Sequence, residues 1–252
     1  MIATSDLWIS HYSVCSWMSA KNWDSYLRMA ETVLGDRLMK IDDTDPIRRK
    51  ADTKRGEGSF VIQFGEREDS RWVRGKFEKT KVEIEIQHYR LGKDSFGRER
   101  QNLLTIFIPE RMTFGPDLFK VIKLFQLGNE NLGAFYAFAD FKKVICAKKP
   151  STPSLDISRE LLGVFWLTYF GAPYCKFFGR DKLLGLQPAT DGPAGGITLQ
   201  LAESPGQVPD DSRGILECEI ATESFAGNGG SKERGEHALT LAQLSADASQ
   251  AL

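Results

Sequence analysis

The stretch that decides the fold is Leu161–Pro205, which reads LLGVFWLTYFGAPYCKFFGRDKLLGLQPATDGPAGGITLQLAESP. Its first part, Leu161–Tyr169, has no charged residue and is rich in aromatic and branched side chains, which predicts a central strand buried on both faces. The chain then breaks at Gly171–Pro173, and the proline begins a helix. The helix residues that we expect to face the core are Tyr174, Phe177 or Phe178, and Leu184. A second apolar strand, Ile197–Leu201, completes a strand–helix–strand unit.

The first half of the chain predicts strands in a mainly antiparallel arrangement. Leu7–Val14 has the aromatic and β-branched content of a strand, and the apolar stripe in Trp23–Ile41 has the spacing of a helix. Within Trp72–Tyr89, apolar residues alternate with carboxylates, which predicts a strand with one wet face. A polar loop leads from it to a second strand, Leu103–Ile108, so we expect an antiparallel hairpin or meander here.

The middle of the chain predicts a helix, two strands and a linker. Gly115–Asp117 opens an amphipathic helix, and Gly128 is expected to end it because glycine tolerates positive φ. Ala134–Phe141 and Val144–Ala147 have the composition of strands. Lys148–Asp156 contains two prolines and small polar residues, which is typical of a linker.

These elements do not alternate regularly between strand and helix, so they predict an α+β fold. We expect a mainly antiparallel sheet or sheets with helices packed on one side, in one lobe or two. Residues 1–225 are expected to form a single globular domain, with 148–156 as its point of subdivision, and residues 226–252 a flexible tail. The pattern over Asp210–Phe225 fits a strand or a helix, and we favour a helix.

Composition and charge restrict the class of protein. The chain has 252 residues, of which 41% are hydrophobic and 27% charged, with a formal net charge of −1, as in ordinary globular proteins. Ile47–Lys81 carries a local charge of +5, whereas the chain from Asp181 onward carries −7. Four scattered cysteines and the absence of signal-peptide features predict free thiols and a cytoplasmic location. No charge-free run is long enough to cross a membrane.

The sequence offers little of the chemistry that enzymes require. Only three histidines are present, and none has the spacing of a metal site. Asp42–Asp45 lacks the glycine and glutamate of a calcium loop, so we interpret this cluster as a loop with a helix cap before Pro46. A nucleotide-binding loop follows a strand and opens a helix. The glycine-rich segments of this chain do not have that context. We therefore expect no catalytic residue, no cofactor and no metal, and we favour a protein without enzymatic activity.

Three groups of residues are candidates for contact with other molecules. The candidate partner surface in the acidic last third consists of Glu203, Asp210, Asp211, Glu217 and Glu219. The candidate basic patch consists of Arg48, Arg49, Lys50, Arg71 and Arg74. The aromatic residues that form either a pocket or part of the core are Trp166, Tyr169 and Tyr174.

Three segments of the last third resemble a pattern of uncharacterised bacterial proteins. They are Tyr169–Tyr174 (YFGAPY), Phe178–Leu184 (FGRDKLL) and Gly195–Leu201 (GGITLQL). Some proteins with this pattern resemble immunity proteins of polymorphic-toxin or secreted-effector systems. The resemblance implies a cytosolic, non-enzymatic α+β protein that binds a cognate toxin and blocks its active site or its assembly. It implies no catalytic residue.

The leading interpretation is a partner-binding protein of the immunity type, whose acidic surface attracts a basic protein toxin. Two alternatives stay open. A nucleic-acid-binding module would use the basic segment 47–81, and its affinity would fall steeply with salt. An enzyme would have a pocket around the three aromatic residues, with polar groups converging in a cleft.

Overall fold

The structure, a computed structural model, describes residues 6–14, 20–42, 70–89, 101–148, 161–225, 239 and 243–244. Within these residues nine strands form one sheet, in which every neighbouring pair is antiparallel. The strands are β1 (Leu7–Ser13), β2 (Leu38–Asp42), β3 (Ser70–Phe77), β4 (Glu83–Tyr89), β5 (Asn102–Ile108), β6 (Ala134–Phe141), β7 (Leu167–Phe170), β8 (Ala189–Asp191) and β9 (Ile197–Gln200). The helices are α1 (Ala20–Leu34), α2 (Asp117–Asn131), α3 (Lys142–Lys148), α4 (Ala172–Phe178), α5 (Arg180–Leu184) and α6 (Ser212–Ala221).

The sheet has the strand order β2-β3-β4-β5-β1-β6-β7-β9-β8. The N-terminal strand β1 therefore lies at the centre, where it pairs with β5 and β6. The segment Trp72–Tyr89, predicted as one strand, is divided by a turn into β3 and β4, which pair with each other. Together with β5 they form a three-stranded antiparallel meander. The predicted α+β fold with a mainly antiparallel sheet is confirmed.

Alternation along β1 explains why the sheet has a hydrophobic core on each face. Leu7 and Ile9 point to one face, together with buried residues of α1 and α2. Trp8 and Tyr12 point to the other face, together with buried residues of α4, α5 and α6. Helices thus cover both faces, and not one side as expected from the sequence, because β1 and β6 carry apolar side chains at both parities.

Helix α1 is shorter than its sequence pattern predicts. It ends at Leu34, and Gly35 follows with φ of 62°, which glycine adopts without strain. Leu38 and Ile41, which continue the helical spacing, lie in β2 and pair with β3. The prediction of one helix as far as Ile41 is wrong because Gly35 turns the chain toward the sheet edge.

Helix α2 is longer than predicted. Gly128 lies inside the helix, which continues to Asn131. A glycine is required there for packing, since a Cβ at this position would lie 2.2 Å from Nε2 of His11 on β1. The chain reverses only at Gly133, whose φ is 55°.

Two segments predicted as strands have other conformations. Val144–Ala147 is helical and belongs to α3, which follows β6 directly. Of the predicted strand Leu161–Tyr169, only the part from Leu167 onward is a strand, and residues 162–166 are buried but irregular. Short apolar runs of this kind do not distinguish a strand from other buried structure.

The helical part of the opening stretch is broken into α4 and α5. Pro173 lies in the first turn of α4, as predicted, but Gly179 separates the two helices with φ of 89°. The break changes the helical register, so Leu183 is buried and Leu184 is exposed. Of the two alternatives at 177 and 178, Phe178 is the buried one.

The last part of the chain contains the helix that we favoured, α6. Residues 149–160 lie outside the described part, and so does most of 226–252. Leu239 and Leu244 are described, and both are buried in the same core as α4, α5 and α6. The division into a domain of residues 1–225 and a flexible tail stays a prediction, with these two leucines attached to the core.

Candidate partner-binding surface on helix α6

Residues 162–166 lie in the core without a sheet ladder, and carboxylates accept hydrogen bonds from their amides. The amide N of Val164 donates to Oε1 of Glu217 at 2.7 Å. The amide N of Trp166 donates to Oδ2 of Asp140 at 3.0 Å. A buried amide without an acceptor costs about as much as a lost hydrogen bond. These acceptors therefore allow an irregular backbone to be buried.

Each of the two carboxylates also holds a cation. Arg213 donates to Oδ2 of Asp140 through Nε (3.0 Å) and Nη2 (2.7 Å), and Lys148 forms an ion pair with Glu217. Both carboxylate side chains are fully buried, where a charge is tolerated only when it is paired and hydrogen bonded. Arg213 and Glu217 are four residues apart and share the inner face of α6. The two pairs therefore anchor this helix to β6 and to α3.

Burial shifts the pKa values of this buried cluster. It raises the pKa of Asp140, and the charge of Arg213 partly offsets the effect. Burial also lowers the pKa of Lys148 to about 8, with Arg213 acting in the same direction and Asp140 in the opposite one. Because these groups are engaged with one another and with backbone amides, the cluster serves as an anchor for the backbone.

The outer face of α6 has the opposite character. Ile215 is 53% exposed although its side chain is large and aliphatic. It lies in a shallow surface depression of about 620 Å³. The residues that line the depression are Asp210, Asp211, Gly214, Ile215, Cys218 and Glu219. We call these six residues the α6 surface. It combines three small or apolar residues with three carboxylates, and we call the carboxylates the rim.

The structure separates the candidate acidic residues into three groups. Asp210, Asp211 and Glu219 are exposed and belong to the α6 surface. Glu203 is exposed but does not line the depression. Glu217 does not belong to any surface, because it is fully buried against Lys148. On a helix, residues two positions apart point to nearly opposite sides, so Glu217 and Glu219 cannot share a face.

The described part of the candidate basic patch belongs to the meander. Arg48, Arg49 and Lys50 lie outside the described residues, and only the backbone of Arg71 is placed, in β3. Arg74 donates from Nε to Oε2 of Glu85 at 2.9 Å, across the β3–β4 pair. Lys76 pairs with Glu83 in the same way, so on this face cations and carboxylates compensate one another.

The candidate aromatic residues lie in the two cores. Trp166 and Tyr169 belong to the core under α1 and α2, and Tyr174 belongs to the core on the opposite face. Nε1 of Trp166 donates to the carbonyl oxygen of Ala202 at 2.9 Å. The hydroxyl of Tyr169 donates to the carbonyl oxygen of Pro193 at 2.9 Å. Burial raises the pKa of both tyrosines. The three side chains are therefore not brought together around a common cleft.

Asp140, Arg213 and Lys148, whose ion pairs hold α6, were not among the residues predicted from the sequence. One signal was present in the sequence of β6, AFYAFADF, where Asp140 is the single charge in an otherwise apolar strand. A lone carboxylate in such a strand indicates a buried partner. Nothing in the sequence indicated which cation that partner would be.

His11 is a further buried titratable group, and it serves packing. Its Nε2 lies 3.0 Å from the carbonyl oxygen of Phe125, so Nε2 carries the proton and donates. Its ring occupies the space above Gly128, where a larger residue would collide with it. Burial lowers its pKa to about 4, and the bond to Phe125 offsets this only in part.

The described residues contain neither a metal site nor a membrane-spanning helix. In the part of the chain that the structure covers, no group of three or more His, Cys, Asp or Glu residues could hold a metal ion. None of the helices in that part combines the length and the apolar composition that crossing a membrane needs.

The comparisons with known proteins support the fold. No family model matches the chain, and no curated protein matches it. Among solved structures, the T6SS protein PA0821 of Pseudomonas aeruginosa is similar, with a TM-score of 0.55 and 16% sequence identity. The match covers 94% of this chain and 81% of that protein. At this identity the likeness establishes a shared fold over nearly the whole chain.

Proposed function

We propose that this chain is a non-enzymatic, partner-binding protein of the immunity type, which neutralises a cognate bacterial toxin. The observation that carries the proposal is the α6 surface, on which an exposed Ile215 lies among carboxylates on a helix held by two buried ion pairs. An exposed apolar patch with a polar rim is typical of a surface that a protein partner covers.

Two further observations support the proposal. The fold is shared with a T6SS protein, which is compatible with a secretion-related or immunity role. The buried polar residues Asp140, Glu217 and Asp36 accept hydrogen bonds from backbone amides, as groups that anchor the backbone do. The carboxylate of Asp36 accepts hydrogen bonds from three backbone amides, those of Arg37, Lys79 and Thr80.

We also propose a cytoplasmic location. Cys146, Cys175 and Cys218 are free thiols, and two of them are exposed. Exposed thiols persist in a reducing compartment, whereas an oxidising one favours disulfides. Separation of cell fractions, followed by immunoblotting for the chain, would test the location.

Co-expression tests the proposed function. The product of the gene next to the one that encodes this chain is expressed in a bacterial host, with and without the chain. We expect growth arrest by the neighbouring product alone, protection by the chain, and a complex that survives co-purification. A toxin from an unrelated system serves as the control and should not be neutralised. Neither protection nor a complex would contradict the proposal.

A further inference from the structure

We infer that the α6 surface binds a cationic segment of the toxin that also carries an aliphatic side chain. The aliphatic side chain would pack against Ile215 and Gly214, while lysine or arginine side chains of the same segment would meet the carboxylates of the rim. This inference rests on the proposed function and names the chemistry of its partner.

The shape of the surface follows from helical spacing. Asp211, Ile215 and Glu219 are successively four residues apart, so they form one ridge along α6. Gly214 and Cys218 are also four apart and form a low strip beside that ridge. Space above Gly214 is open, since a Cβ added there would meet no atom within 4 Å. A partner chain can therefore approach the helix backbone closely next to an exposed aliphatic side chain.

The charge of the rim selects the partner. Asp210, Asp211 and Glu219 are all exposed, and within the described ranges none of them pairs with a cation. This contrasts with the meander, where the carboxylates of Glu83 and Glu85 are already compensated. A cationic segment supplies the missing counter-charges, and an acidic polymer such as a nucleic acid is repelled.

The inner face of α6 makes this surface rigid before binding. Arg213 and Glu217 fix the helix on two sides, and Leu216 and Ile220 fill the core beneath it. A surface that is already ordered loses little conformational freedom when a partner binds. The binding free energy then depends on the aliphatic contact and on the charges of the rim.

Calorimetry with the full chain and the purified product of the neighbouring gene tests the inference. In the first variant, Asp210, Asp211 and Glu219 are each changed to Lys, which we expect to weaken binding by at least about 100-fold. Ile215→Ser is expected to weaken it by about 10-fold through loss of the aliphatic contact. The matched control changes three exposed acids elsewhere to Lys, namely Glu78, Glu110 and Glu130, and should stay within about 3-fold of the unchanged protein.

Salt and folding measurements separate the outcomes. Raising the salt concentration from about 50 to 300 mM should weaken the unchanged complex by about 10-fold or more. Thermal unfolding of each variant checks that it folds. Ile215→Ser, which keeps the charge, remains informative if the triple variant does not fold.

If a complex forms but the α6 variants bind like the control, the inference is overturned and the proposed function stands. If the complex depends on Ile215 but not on salt or on the rim, the cationic segment is overturned. If no complex forms, both fail.

Discussion

On the β3–β4 hairpin, Lys76 and Glu83 form an ion pair that water reaches, with a quarter to a third of each side chain exposed. Under α6, the pairs Asp140–Arg213 and Lys148–Glu217 have carboxylates with no exposure at all. The chemical groups are the same in both regions, but their surroundings differ. The hairpin pairs join strands that already have a complete backbone ladder. The pairs under α6 replace a ladder that residues 162–166 lack.

The comparison shows that the contribution of an ion pair to stability depends on which groups lose their partners when the pair is broken. In water, an unpaired lysine is solvated and a broken pair costs little. In the core, a broken pair leaves a charge and a backbone amide without partners. The anchoring of α6, and with it the α6 surface, therefore depends on a few buried groups, whereas we expect the meander to tolerate substitution on its polar face.

The largest effect is expected from Glu217→Ala. It leaves Lys148 without its carboxylate and Val164 without an acceptor for its amide. The free energy of unfolding should fall by about 3–5 kcal/mol in denaturant titrations. Glu219→Ala, two residues away on the exposed face, is the control and should change it by no more than about 0.5 kcal/mol. Similar losses in the two variants would remove the contrast between the faces of α6.

The next effect concerns pH and His11, which is buried with no counter-charge acting on it among the described residues. Its pKa is about 4 in the folded protein, against an ordinary value of 6.5. Between these values the unfolded chain binds the proton and the folded one does not, so stability is present above pH 6.5 and falls as the pH falls toward 4. The loss should reach roughly 3 kcal/mol.

Denaturant titrations at several pH values between 7.5 and 4.5 would measure this loss, with His11→Gln as the comparison. The variant should lose less stability over that range than the unchanged protein. Equal slopes of unfolding free energy against pH would show that His11 does not titrate as its burial requires.

Two helical glycines differ in how closely their surroundings are packed. Gly128 of α2 lies against the His11 ring, and Gly214 of α6 faces open space. Gly128→Ala should destabilise the protein by about 1–3 kcal/mol through overpacking. Gly214→Ala should stabilise it by about 0.5–1 kcal/mol, because alanine favours a helix. Thermal unfolding of both variants provides the measurement, and shifts of the same sign would contradict the expectation.

The smallest effect is expected on the hairpin. A double-mutant cycle with Lys76→Ala and Glu83→Ala should give a coupling of no more than about 1 kcal/mol. Added salt should reduce it further, since water reaches the pair. A coupling as large as the effect of Glu217→Ala would mean that exposure does not separate the two regions.

Much of the fold could be predicted from local pattern. Leu7–Ser13, Ala134–Phe141 and Ile197–Gln200 were recognisable as strands from their apolar and β-branched content. The failures occurred where apolar content was present but its use depended on distant residues. Leu38 and Ile41 continue a helical spacing but pair with β3, and residues 162–166 look like a strand but bond to side chains.

The candidate site was predictable only in part. Asp210, Asp211 and Glu219 could be chosen from the acidity of the last third, and they lie around the same depression, at and just before α6. Glu217 lies in the same acidic segment as Glu219 and is the same type of residue, yet it is buried. Only the helical phase of α6, set by how Leu216 and Ile220 enter the core, distinguishes an anchoring carboxylate from a surface one.

The sequence by itself determined the α+β class, the antiparallel pairing within residues 72–108 and the position of the unit in Leu161–Pro205, because these depend on the period of apolar residues and on glycine and proline. The tertiary structure alone decided that helices cover both faces, that Gly128 makes room for His11, and that Asp140 and Glu217 anchor α6. These features join residues that are far apart in the chain, and no local pattern records which distant group will fill a given space or neutralise a given charge.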